Sequence, residues 1–153
     1  MAGDHAPHPS DHKATGGTMS EFTISPIDNM EAVVFGSFKR ARAELGVESF
    51  GMQVLDLPPN AKQYPEHDHS DSGQEEVFVV LRGAGEIEID GERHLLDPDT
   101  MVRVGPTPKR KIWPGEQGMR VLALGGCPGE PYEPPEVTEL GAPDPGLPSV
   151  PSP

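Results

Sequence analysis

At 153 residues and a formal net charge of −13, the chain has room for one small core and repels phosphate backbones, which excludes nucleic acid as a partner. Nine of its 19 prolines crowd between Pro128 and Pro153, so the part able to build a core narrows to residues 19–127. The single cysteine, Cys127, rules out an internal disulfide framework and fits a reducing compartment. No apolar run nears the roughly 20 residues that span a bilayer, and the opening MAGDHAPHPSDHK lacks the apolar centre of a signal peptide. The expected location is cytoplasmic, with no membrane partner.

Residues 1–18 are poor in large apolar side chains and read as a disordered extension whose His5, His8 and His12 have no scaffold to fix them. Phe22–Ile27 and Ala32–Phe35 read as short strands, the second closed by Gly36. Ser37–Leu45 reads as a helix with Ser37 as N-cap and Gly46 as C-cap, its Lys39, Arg40 and Arg42 forming a solvated face. Ser49–Leu57 is a strand stopped by Pro58-Pro59-Asn60; its Gln53 lies mid-strand, facing either a polar pocket or solvent.

Pro65–Gly83, PEHDHSDSGQEEVFVVLRG, carries the chemistry. Successive side chains on an extended chain point to opposite faces, so His67 and His69 share one side. Glu76 opens the next strand, Val77–Arg82, and a hairpin between the two segments returns its carboxylate to the imidazoles. Two imidazoles and a carboxylate on one sheet face make a facial ligand set for a divalent transition metal. The plainer alternative is a solvated polar loop that happens to contain histidines.

Beyond it, GEIEID (Gly85–Asp90) alternates with Ile87 and Ile89 inward, and Asp90-Gly91 is a strong hairpin signal. Glu92–Leu96, Thr100–Val104, Lys109–Trp113 and Met119–Leu124 follow as strands separated by Pro, Gly and Asp turns. Such spacing, with one minor helix, predicts an all-β antiparallel sandwich or barrel. From Pro128 the chain is acidic and without periodicity and reads as a mobile tail, pinned at its start by Tyr132. His94 reads as a surface or edge residue, Trp113 as packing, and Cys127 as an inert thiol near the barrel end.

The pattern resembles the cupins, small jelly-roll β-barrels. Their first motif, G-x5-HxH-x3,4-E-x6-G, falls on Ala61, His67-Asp68-His69, Glu76 and Gly83. Alanine replaces the first glycine, and six residues rather than three or four separate His69 from Glu76; Glu75 shortens that loop but breaks the spacing to Gly83. The second motif, G-x5-PxG-x2-H-x3-N, falls without gaps on Asp99, Gly105, Thr107, Arg110 and Pro114, so every signature residue differs. Parity with apolar Ile112 puts Arg110 at the place of the family's last metal-binding histidine, whereas a one-residue gap puts Lys109 there.

Arginine keeps its proton and cannot ligate a metal. Two readings therefore stay open. In one, His67, His69 and Glu76 hold a divalent ion (iron, manganese, zinc, nickel or copper) and Arg110 holds an anionic group of a small-molecule ligand, with Gln53 lining the pocket. In the other, Arg110 forms an ion pair with Glu76, and the barrel is a metal-free binding or structural module. The resemblance implies a fold that hosts enzymes and binding proteins alike, so whether the chain is an enzyme stays open. It also implies a homodimer paired through N-terminal strands.

Overall fold

A computed structural model describes residues 21–146. The expectations for residues 1–18 lie outside that range, as does the end of the tail beyond residue 146. The elements are β1 (Ala32–Val33), β2 (Phe38–Lys39), α1 (Ala41–Leu45), β3 (Gly51–Leu57), β4 (Glu75–Ile89), β5 (Glu92–Leu96), β6 (Met101–Val104) and β7 (Arg110–Gly126). All pairings are antiparallel, in the order β1-β2-β3-β7-β4-β5, with β6 pairing the first half of β4 on the edge away from β7. The fold is an antiparallel β-barrel with one short helix.

Two long strands close the barrel. The first half of β4 pairs with β6 and the last part of β7; its second half pairs with β5 and the first part of β7. Register shifts at Val80/Arg82 and Gly83/Gly85 mark the corner where both strands bend. The backbones nearly touch there: a Cβ on Gly83 (φ +75°) would stand 2.1 Å from the Gly118 carbonyl oxygen, and one on Gly85 2.2 Å from that of Trp113. Only glycine permits this approach. The four separate strands expected over Val77–Arg82, Gly85–Asp90, Lys109–Trp113 and Met119–Leu124 are therefore two bent ones. At the tip of β4, Asp90 (φ 48°) and Gly91 (φ 85°) form the expected two-residue hairpin turn.

The interior packs Phe38, Leu55, Tyr64, Phe78, Val80, Ile87, Leu96, Val104, Ile112, Val121 and Ala123 into one cluster. A second small cluster of Met30, Ala41 and Val54, backed by Met52 and Leu122, lies on the outer side of β3 under α1. No helix of the described residues is long and apolar enough to cross a membrane.

Three local expectations are corrected. Phe22–Ile27 is not a strand; Phe22 and Ile24 are three-quarters exposed, and Pro26 removes a ladder donor where no described strand offers a partner. The helix starts at Ala41, not after Ser37, because Phe38 and Lys39 pair with Leu55 and Val54 of β3. Ser37 caps nothing; its hydroxyl donates to the Val34 carbonyl at 2.6 Å. Gly46 does close the helix, with φ 76°.

The third correction concerns the tail. Lys39, Arg40 and Arg42 are buried rather than solvated: Lys39 lies beside Asp56, 3.7 Å away, and residues 128–146 dock over Arg40 and Arg42 instead of moving freely. Arg40, 1% exposed, donates from Nε to the Val137 carbonyl at 2.9 Å and from Nη2 to that of Ala142 at 2.8 Å, and its Nη1 pairs with Glu31. Arg42 Nη2 lies 2.8 Å from Glu139 Oε1, and the Asp144 carboxylate accepts from the Val34 amide at 3.2 Å. Tyr132 is half-buried at the start of this strap; burial pushes its hydroxyl pKa up, and Arg42 opposes the rise.

Candidate functional site

The segment before β4 reaches the barrel mouth through reciprocal backbone bonds. His67 and Arg110 exchange both amide hydrogen bonds, at 2.9 and 3.1 Å, so they sit directly opposite one another and send their side chains to the same face. The His69 amide donates to the Pro106 carbonyl at 2.8 Å, and a turn closed by Gly73 N to His69 O at 2.9 Å returns the chain into β4. Gln74 and Glu76 then face inward, while Glu75 faces out and pairs with Arg103 at 2.8 Å.

This brings His67, His69 and Glu76 together, with one ligand atom from each lying within 4.8 Å of the others. Glu76 is 1% exposed, and its Oε1 is shared: His69 Nε2 lies 2.8 Å away, Arg110 Nη1 2.7 Å and His67 Nε2 3.8 Å. Arg110 is fully buried, and its Nη2 donates to the Gly105 carbonyl. Lys109, the other residue that alignment could place here, is exposed, and its amide bonds Asp90 Oδ1. Burial by itself pushes the Glu76 carboxyl up, but the two imidazoles beside it outweigh burial and hold the pKa at about 2.

The donor set has one feature suited to a metal. His67 Nδ1 lies 2.9 Å from the Pro65 carbonyl oxygen, which can only accept, so Nδ1 carries the hydrogen. In the neutral ring Nε2 is then a bare lone pair, and it is buried without a hydrogen-bond partner beside Glu76 and His69. A carbonyl that holds Nδ1–H and leaves the Nε2 lone pair open is the usual orientation of a ligating imidazole. Arg110 works in the opposite sense, because it already balances the one carboxylate of the cluster. Three ligands are present, together with a fixed cation that any dication must share Glu76 with.

The remaining interior residues complete the lining. Gln53 on β3 is fully buried, with neither amide atom hydrogen-bonded. Sequence reasoning missed Tyr64 and Gln74. Tyr64 is buried, its ring centroid 5.7 Å from that of His67, and burial together with the Glu76 charge raises its pKa well above the usual tyrosine value. It sits in a segment without periodicity, so no pattern pointed to it. Gln74 has the parity of Glu76, which was a usable signal.

Other candidate residues lie elsewhere. His94 is exposed on β5. Trp113 faces outward, with Arg93 at 4.2 Å and Lys111 at 4.3 Å from its ring centroid. The Cys127 thiol donates to the Ser72 carbonyl at 3.1 Å.

In acid, the Glu76 carboxylate gives a testable slope. Its folded pKa is depressed, so its contribution is complete above about 4.5 and is lost as pH falls through that value toward about 2. The loss is on the order of 3 kcal/mol. Urea melts of metal-free protein between pH 5 and 2 should show this slope, and Glu76→Gln should flatten it.

Comparison with known proteins agrees with this architecture. The cupin domain family (Cupin_2) matches residues 53–125. A cupin protein from Bacteroides fragilis shares the fold with 24% sequence identity and a TM-score of 0.59, over 75% of this chain and 93% of that one. The Cupin_2 domain of an XRE family transcriptional regulator from Enterobacter cloacae is 28% identical, with a TM-score of 0.46, over 54% of this chain and 86% of that one. No curated protein matches the chain.

Proposed function

From the premise that this chain is a small cupin-domain protein, we propose that its interior binds a small organic molecule beside a divalent metal ion held by His67, His69 and Glu76. The observation that carries this reading is the His67 ring, its Nδ1 committed to Pro65 and its buried Nε2 left bare beside the other two ligand atoms. A bound ion would supply Lewis-acid polarisation or, if redox-active, oxygen activation. Arg110 serves as the anion anchor: it moves its contact from Glu76 to an acidic group of the ligand, and its fully buried guanidinium offers charge-assisted, directional bonds. The lone cysteine fits a reducing, cytoplasmic setting.

A second reading has its own support. Arg110 and Glu76 are 0% and 1% exposed and 2.7 Å apart, a neutralised buried pair that needs no ion. The barrel is then a metal-free binding module.

Elemental analysis separates the two. The full chain with His5, His8 and His12 changed to Asn removes metal held by the N-terminal segment. We expect close to one equivalent of a transition metal in that protein, falling to background with His67→Ala. A metal content near zero, with none taken up from anaerobic Fe(II), Mn(II) or Zn(II), sinks the first reading and leaves the second.

A further inference from the structure

We propose that Gln53 selects the ligand of this interior, and that the ligand is a short carboxylic acid carrying a hydroxyl close to its carboxylate. The inference rests on the reading of the interior as a small-molecule site and needs no particular metal.

Gln53 is 0% exposed, yet neither its Oε1 nor its Nε2 has a hydrogen-bond partner. An unpaired buried amide is costly, and a leucine of similar size would avoid that cost, so the amide calls for a partner inside the barrel. The register shows where that partner sits. Gln53 lies opposite Ala123, which lies opposite Phe78, while Gly125 lies opposite Glu76 on the same inner face. Between the Gln53 amide and the Glu76 carboxylate β7 therefore offers one methyl group and one glycine. The amide of Gln74 covers that glycine, with Nε2 2.0 Å from where a Gly125 Cβ would stand. The start of β7 contributes Arg110, whose Nε is buried and unpartnered.

These unmatched groups define their complement. Arg110 Nε–H only donates and Gln53 Nε2 only donates, while Gln53 Oε1 only accepts. An apolar ligand satisfies none of them. A plain carboxylate answers the two donors and leaves the acceptor empty. A hydroxyl beside the carboxylate both donates and accepts, so it answers what the carboxylate leaves. The small β7 residues between Gln53 and Glu76 favour a short chain. Arg110 balances one carboxylate only, so a second anion binds best with the added positive charge of a divalent ion.

The test uses glycolate and acetate, which differ by one hydroxyl, titrated into the full chain by calorimetry, once metal-loaded and once after chelation. Wild type should bind glycolate about tenfold more tightly than acetate, the value of one well-made buried hydrogen bond. Gln53→Leu should melt no lower than wild type, because it removes an unpaired amide, and should bind the two acids equally. Gln53→Met serves the same purpose if the leucine variant fails to fold. Retained preference in either variant, equal binding by wild type, or no binding of either acid overturns the proposal. Metal uptake without acid binding ends this inference and spares the metal reading. A glycolate preference that persists with no metal taken up does the reverse.

Discussion

Arg110→Ala, assayed with a chelator present, is expected to lower stability by about 3 to 5 kcal/mol, or roughly 10 to 20 °C in melting temperature. The guanidinium is fully buried against a carboxylate that is itself 1% exposed. Removing it leaves Glu76 charged in the interior with only imidazoles beside it, and an uncompensated buried charge costs more than the intact pair ever contributed. Adding Mn(II) or Zn(II) to the variant should recover much of the loss, because a dication at His67, His69 and Glu76 supplies the missing charge and no longer competes with arginine. Differential scanning calorimetry with and without metal reads both effects. A variant that melts like wild type under chelation would show that Arg110 does not balance Glu76. Destabilisation without rescue by any divalent ion would count against the metal reading and favour the ion-paired barrel.

Arg40→Ala is expected to cost a similar amount, about 3 to 5 kcal/mol, and also to release the strap. Arg40 is 1% exposed and holds the carbonyls of Val137 and Ala142, and its partner Glu31 also accepts from the Gly141 amide at 2.9 Å. One side chain thus ties β1, the start of α1 and two points of the strap together. Without it those carbonyls lose their donor and face a cavity. Limited proteolysis should cut the variant within residues 128–146 at protease levels that leave wild type whole, alongside the lowered melting temperature. Arg40→Lys should recover only part, since an ammonium cannot reach both carbonyls and Glu31 in the planar fork of a guanidinium. Wild-type resistance to proteolysis in Arg40→Ala would show that the strap is held by other contacts.

The two residues differ in how far their roles could be read from the chain. Arg110 shares the parity of Ile112 in a short alternating run, and that places it on the inner face without any tertiary information. Arg40 sits among good helix formers, and its partners Val137 and Ala142 lie 97 and 102 residues further along. No local pattern reports a docking over that distance, so a solvated face was the natural expectation.

The same divide runs through the whole molecule. Strand periodicity, the Asp90-Gly91 turn, the Gly and Pro punctuation and the spacing of His67, His69, Glu76 and Gly83 are local properties, and the sequence by itself determined an all-β barrel with those side chains on one face. What lies between distant segments was decided only by the tertiary structure. Gly83 and Gly85 read as strand ends, yet they are where two continuous strands bend, because only the close approach of β4 and β7 shows why a side chain cannot fit. Phe22–Ile27 alternates like a strand, but a strand needs an edge to pair with. At the site, sequence supplied the ligand types. The tertiary fold decided that Arg110, 34 residues from Glu76, reaches the same carboxylate oxygen as His69, and that Gln53 is buried with its amide unmatched. Side-chain type and parity are properties of neighbouring residues; charge balance and hydrogen-bond satisfaction belong to groups that meet only when the barrel closes.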